Sequence, residues 1–225
     1  MLKSTPPTPQ LFERLLQDAL HKNNITLHAS AISLLAQYLL LLTRWNTVFN
    51  LTAITHPLDM VYRHIIDSLL LLPYLSPFAH ASLSERHFLD VGSGAGLPGI
   101  PLAICSSPTH HWTLLDKSSK KIRFLTQAIL ELNLKQVTVA EVRCERFNTP
   151  VRFDMIFARA FSSLTVFADL CSPLLADHGT LIAMKGQFPH EELAVLPKRY
   201  HADVKPLLFQ GVPIKRHSVH IRAGI

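Results

Sequence analysis

The chain has 225 residues, enough for one domain with an appendage or two small ones, and 48% are apolar against 17% charged. That balance excludes a disordered or fibrous chain and describes a globular protein with a generous core. A net charge of +6, with 13 histidines beside it, favours an anionic partner such as nucleic acid or a membrane surface, the plain alternative being a merely basic soluble protein.

Residues 1–9 are rich in Pro and Thr and are expected to be a disordered tail. They lack the apolar stretch of a signal peptide, so a cytoplasmic location is expected. Residues 10–75 read as a helical segment with three members. From Pro9 to about Lys22, Leu11, Phe12, Leu15, Leu16, Ala19 and Leu20 recur at helical spacing. From Ser30 to about Val48 the stripe is Leu34, Leu35, Tyr38, Leu42 and Trp45, continued by Phe49. The third, Leu58 to about Leu72, follows Pro57 and carries one broad apolar stripe. The longest apolar run, 31–42, is interrupted by Gln37 and is too short to cross a bilayer, so no membrane contact is expected.

After a linker over 76–85 the period changes. Strands are predicted at His87–Val91, His111–Leu115, Gln136–Val142, Phe153–Ala158, Thr180–Met184, Val204–Phe209 and Ser218–Ile221. Helices are predicted at Pro98–Cys105, Ser118–Leu132, Ser163–Leu175 and Glu191–Leu196. Such alternation over 86–225 implies an α/β fold, with a mostly parallel seven-stranded sheet wound on both faces. The last two strands are joined only by a turn around Gly211-Val-Pro213 and should form an antiparallel hairpin. The arrangement resembles the Rossmann-like, class I methyltransferase architecture.

The first of these strands ends at Asp90 and Val91 and runs into Gly92, Gly94 and Gly96, followed by Leu97. Glycines at such a turn let the backbone approach a ligand, although a tight turn with no ligand uses them equally well. The spacing is G-x-G-x-G, not the G-x-G-x-x-G of the dinucleotide fingerprint, which makes a nicotinamide enzyme the weakest reading. With Asp90 ahead of it, the turn resembles the nucleoside-binding loop of S-adenosylmethionine-dependent methyltransferases. Asp116 ends the second strand 26 residues later, where it can accept from ribose hydroxyls or cap the next helix. Lys117, Lys120, Lys121 and Arg123 open that helix against its dipole, which suits either a nearby phosphate backbone or a solvated basic face. Arg143-Cys144-Glu145 follows the third strand, Arg159 leaves the fourth and Lys185-Gly186 the fifth, all at one sheet edge. His64 and Asp67, three apart on a helix, read as a polar lock in preference to a general base. Cys105, Cys144 and Cys171 show no C-x-x-C spacing, which argues against a disulfide framework or a zinc site and fits a reducing compartment; no metal is expected. An Asn/Asp-Pro-Pro-aromatic segment of amino-group methylases is missing, and Cys171 is poorly placed as a pyrimidine nucleophile.

Taken together, these residues resemble the bacterial small-subunit rRNA guanine-N7 methyltransferase family, also called glucose-inhibited division protein B. The resemblance runs from about Leu39 to Val219. It rests on Trp45-Asn46…Asn50-Leu51-Thr52, Arg63-His64-Ile-Ile-Asp67-Ser68, the stretch from Asp90 to Pro101, Leu114-Leu-Asp116…Lys120-Lys-Ile-Arg-Phe-Leu125, Arg159-Ala-Phe161 and Lys185-Gly186. It implies S-adenosylmethionine as cofactor, held by Asp90, Gly92, Gly94, Gly96, Leu97, Asp116, Cys144, Glu145 and Arg159. It further implies an RNA-facing set of Lys120, Lys121, Arg143 and Lys185, with Arg159, Asn50 and His64 positioning the substrate. The implied acceptor is N7 of a guanine in the 530 loop of 16S rRNA (position 527 in the usual rRNA numbering), on the RNA or the small ribosomal subunit. N7 carries a lone pair and no proton, so direct in-line transfer needs no covalent intermediate. The alternative is a basic rRNA-binding assembly factor without catalysis, and a monomer is expected in either case. The family often has Thr and Pro where this chain has Ser93 and Ala95, and the Pro/Thr tail lies outside the resemblance.

Overall fold

A computed structural model describes residues 7–79 and 85–224. Most of the predicted Pro/Thr tail and half of the predicted linker therefore lie outside the described residues. Helix α1 (Pro9–Lys22) starts where Thr8 accepts a hydrogen bond from the Leu11 N–H and Pro9 fills the first turn. Helix α2 (Ala29–Phe49) ends at Asn50, whose left-handed φ of 49° an asparagine tolerates. The third helical stretch departs from the predicted single helix. It is α-helical at α3 (Pro57–Met60), π-helical at Val61–Ile66 and α-helical again at α4 (Asp67–Leu69). A further helix, α5 (Leu72–Ala79), enters the region read as linker.

The strands are β1 (Arg86–Val91), β2 (His110–Asp116), β3 (Val137–Glu141), β4 (Phe153–Arg159), β5 (Leu175–Lys185), β6 (Tyr200–Leu208) and β7 (Lys215–Ala223). They form one sheet in the order β3-β2-β1-β4-β5-β7-β6. The first five are parallel, and β7 runs antiparallel to both β5 and β6. Helices α6 (Gly99–Cys105), α7 (Ser119–Glu131), α8 (Leu164–Cys171) and α9 (His190–Ala194) connect or flank them. The helix predicted to reach Leu175 stops at Cys171. Pro173 has no N–H to continue it, a 3₁₀ turn at Ser172–Leu174 intervenes, and β5 starts earlier than expected. Strand β6 also starts earlier and carries Pro206, which an edge strand tolerates.

Alternation along the strands divides the core by sheet face. Phe88, Trp112, Leu114, Phe157 and Ile182 join the larger cluster, which continues into α6, α7 and the N-terminal helices through Phe12, Leu35, Leu39 and Ile65. Leu89, Val91, Leu115, Ile156 and Leu181 face the smaller cluster with Phe167, Ala168 and Cys171 of α8. The N-terminal helices therefore share their core with the mostly parallel sheet.

Candidate active site

The parallel strands end at one edge, and there a cavity of about 340 Å³ opens between the loops after β1, β2, β3 and β4. That size suits a small ligand. Gly92, Asp116, Lys117, Lys121, Arg143, Cys144 and Glu145 line it, together with Leu115, Val142, Phe161, Val166 and Leu170. One side is charged and the other apolar.

The glycine loop is built from its own hydrogen bonds. The N–H groups of Gly92 and Ser93 donate to the Leu115 carbonyl, those of Gly96 and Leu97 donate to the Ser93 carbonyl, and that of Gly94 donates to Asp116 Oδ2 at 2.9 Å. A phosphate-binding loop keeps such donors for its ligand; this one has committed five of them. Gly92 has φ 69°, and a Cβ there would stand 3.0 Å from the Phe161 ring, so glycine is required both by conformation and by the close approach of the ring. Helix α2 supports the loop from below, with the Tyr38 hydroxyl donating to the Ala95 carbonyl at 2.7 Å.

The two strand-end aspartates have different surroundings. Asp90 is fully buried and absent from the cavity lining. Its Oδ2 accepts from the Gly99 N–H at 2.9 Å and so ties the start of α6 to the end of β1. Burial pushes its pKa up to about 6, against the hydrogen bonds from Gly99 and Ser93. Asp116 reaches the cavity. It accepts from Gly94, from the Ser118 N–H at 2.9 Å and from Lys121 Nζ at 3.4 Å. A carboxylate has about four acceptor sites, so capacity remains for a ligand hydroxyl. The residue thus serves the turn into α7 and the cavity together.

Other candidates fall outside the cavity wall. Leu97 is buried in the core beside the cis Leu97–Pro98 bond. Arg159 Nη1 donates to the Arg63 carbonyl at 3.0 Å and to Asp67 Oδ2 at 3.3 Å, while Arg216 Nε donates to Asp67 Oδ1 at 3.1 Å. Asp67 is therefore shared by two guanidinium groups and does not meet His64 as the three-residue spacing suggests. His64 Nε2 lies 3.1 Å from the Thr52 hydroxyl. Burial, with Arg159 second, pushes the His64 pKa down to about 4, so its ring is neutral at pH 7. Asn46 holds the Asn50–Thr52 turn by pairing with both backbone groups of Thr52, at 2.8 and 2.9 Å, and Asn50 stays exposed.

Among the basic candidates, Lys120 and Arg143 are exposed. Lys121 pairs with Asp116, and Lys185 Nζ is held at 2.8 Å by both oxygens of Glu192 and at 3.1 Å by the Ser162 carbonyl. The sequence reading gave no role to Phe161, Val166 or Leu170. Position at the exit of β4 could have flagged Phe161. The two α8 residues are ordinary helix residues, and only the tertiary fold turns them to the cavity.

Solved structures similar in fold include a putative methyltransferase, yhhF, from Escherichia coli (TM-score 0.55, 14% identity, 71% of this chain and 88% of that one). Another is TrmN from Thermus thermophilus (TM-score 0.54, 18% identity, 72% and 53%). Sequence relatives are much nearer. Ribosomal RNA small subunit methyltransferase G of Chromobacterium violaceum is 41% identical over 207 residues, covering 92% of this chain and 95% of the relative. The Shigella flexneri protein of the same name is 40% identical over 213 residues, covering 91% and 99%. The family model for GidB, rRNA small subunit methyltransferase G, matches residues 31–219. With that match over most of its length and relatives at such identity, the chain belongs to the rRNA small subunit methyltransferase G family.

Proposed function

We propose that the protein methylates N7 of a guanine in the 530 loop of 16S rRNA, using S-adenosylmethionine, and does so in the cytoplasm as a monomer. The observation that carries the cofactor is the loop whose N–H groups are spent internally beside a carboxylate with spare acceptor capacity. That arrangement suits a nucleoside without phosphates and disfavours a dinucleotide, whose pyrophosphate needs free loop donors. S-adenosylmethionine supplies an electrophilic methyl group when bound. Asp116 would hold the ribose hydroxyls, Val142, Val166 and Leu170 would pack the base, and the Cys144–Glu145 backbone would meet its edge.

Guanine N7 has an in-plane lone pair and no proton, so the protein need supply neither a base nor a nucleophile. Its work is positioning and exclusion of water. Arg159, fixed by Asp67 and the Arg63 carbonyl, is assigned to positioning the acceptor, together with neutral His64 and exposed Asn50. Lys120 and Arg143 offer exposed cations to the RNA backbone, and Lys121 and Lys185 would exchange their carboxylate partners for phosphate. N7 lies on the deep major-groove side of an RNA helix, which favours an unpaired guanine as acceptor. Small subunits lacking the modification, incubated with tritiated S-adenosylmethionine, should take up label, and borohydride–aniline treatment should then cut the rRNA at one guanine. No cleavage dependent on N7 methylation overturns the reading.

A further inference from the structure

A second groove opens at the same sheet edge, between the turn leaving β5 and the β6–β7 hairpin, with a volume of about 550 Å³. Phe188 and Leu208 line it and are 41% and 70% exposed. Among the described residues, Phe188 is the only aromatic residue in the set of exposed large hydrophobic side chains. Its ring is held by His190, with centroids 4.4 Å apart, and edge-on by His217 at 5.7 Å. Lys215, Arg216 and His217 complete the rim, and none of the lining residues is acidic. Arg216 connects this groove to the site through Asp67, whose other oxygen takes Arg159 at the exit of β4.

We propose that this groove takes an unpaired base of the RNA strand flanking the target guanine, stacked on Phe188, with its phosphates towards Lys215 and Arg216. A flat ring on an apolar floor, under a cationic rim, matches the two halves of a nucleotide, because base stacking on an aromatic side chain is sequence-tolerant and phosphates require cations. The inference rests on the RNA methyltransferase reading. Its test is steady-state methylation of small subunits lacking the modification by the wild type, Phe188→Ala, Phe188→Leu and Phe188→Tyr. Loss of the aromatic face should raise KM for the subunit about ten-fold in the first two variants, with kcat and S-adenosylhomocysteine binding retained, and Phe188→Tyr should restore KM. An unchanged KM in Phe188→Ala overturns the groove assignment alone, as does a wild-type dimer that this variant dissociates. An inactive wild type overturns the methyltransferase reading instead. Phe188→Leu keeps apolar bulk, so it covers a fold defect in the alanine variant.

The cofactor cavity carries an independent feature. Cys144 Sγ and Cys171 Sγ lie 3.8 Å apart. Cys144 lines the cavity from a 3₁₀ turn at Cys144–Arg146, and Cys171 ends α8, whose Val166 and Leu170 form the facing wall. We infer that the pair is a hydroperoxide-sensitive modification site that closes the cavity by cross-linking its walls. The Cys144 thiolate attacks the peroxide, the O–O bond breaks, Cys144 becomes a sulfenic acid and water leaves with the thiol's proton. Cys171 then attacks that sulfur, the S–S bond forms and a second water leaves, so the two thiols are oxidised and the peroxide is reduced. Cys144 lines the cavity whereas Cys171 is wholly buried and absent from its lining, which favours this order of attack. Bonding brings the sulfurs to about 2 Å, drawing the turn towards α8. Hydrogen peroxide treatment of the full chain should give a Cys144–Cys171 cross-linked peptide two hydrogens lighter than the reduced pair. S-adenosylhomocysteine binding should weaken at least ten-fold, dithiothreitol should reverse both changes, and excess S-adenosylhomocysteine should slow the cross-linking. Cys171→Ser should keep its binding after peroxide. No cross-link, or a cross-link that leaves binding intact, overturns the inference.

Discussion

At Asp116 one carboxylate meets several demands. It receives the Gly94 and Ser118 N–H groups, which shape the loop and the start of α7, and it lines the cavity where it is proposed to hold the ribose hydroxyls. Asp116→Ala removes a charged acceptor worth about 1.5–3 kcal/mol per hydrogen bond, so S-adenosylhomocysteine affinity should fall about 10- to 100-fold by calorimetry. The circular dichroism spectrum should stay native. Its place at the cavity was legible in the sequence, since a carboxylate at the end of the second strand of a parallel sheet stands at the edge where ligands bind. The difference between Asp116 and Asp90 was not. Both end parallel strands, and only the path of α6 turns Asp90 to the Gly99 N–H and away from the cavity. Arg159 was legible as a cation at the exit of β4, but its partner Asp67 lies 92 residues earlier, and pairing at that separation leaves no local pattern.

Among the elements, the helical stretch 57–69 shows both the reach and the limit of periodicity. Its apolar stripe announced a helix, yet Val61–Ile66 is π-helical, and six residues are too few for a period of 3.6 to be told from a wider one. The π turn lets the Arg63 carbonyl receive Arg159 while Asp67 binds Arg159 and Arg216, so β4 and β7 are fastened to the N-terminal helices at one carboxylate. Asp67 is almost wholly buried, and its two partners are only 24% and 28% exposed. Asp67→Ala leaves both cations without their carboxylate and should destabilise the fold by about 3 kcal/mol, seen as a lower urea midpoint at unchanged m-value. Gly99 is a second fastening point. A Cβ there would stand 2.4 Å from Leu114 Cδ2 and 2.7 Å from Asp90 Oδ2. Gly99→Ala should cost about 1–3 kcal/mol through overpacking and lower the melting temperature.

For the whole molecule, the alternation of short apolar runs with helical ones sufficed for the sheet and its terminal hairpin, because strands buried on both faces read as compact apolar runs. They could not show that the N-terminal helices extend the core on the α6–α7 face, since helix stripes do not name their partners. The fold also buries titratable groups that contribute to the pH dependence of its stability. His64 and His220 both have pKa values lowered to about 4, each chiefly by burial. Lys205 and Arg222 add to this at His220, while Asp203 opposes it. Both rings are neutral in the fold and bind protons in the unfolded chain below about pH 6.5, so their stability contribution is full above that value and is lost as pH falls towards 4. Asp90 acts in the opposite sense. Its pKa is raised to about 6, so its contribution is full below about pH 4 and is lost as pH rises through 6. Near pH 5 the unfolded chain gains about two histidine protons while the fold retains about one on Asp90, so among these three groups stability falls on acidification. His220 lies against Tyr74, 4.3 Å between centroids, and bonds Ser218 at 2.9 Å, away from the cofactor cavity. Its replacement therefore tests the balance without touching the site. His220→Gln should reduce the slope of unfolding free energy against pH between 4.5 and 6 by most of one proton, about 1.1 kcal/mol per pH unit, in urea titrations at several pH values. A slope equal to that of the wild type would show that His220 does not titrate differently in the folded and unfolded chains.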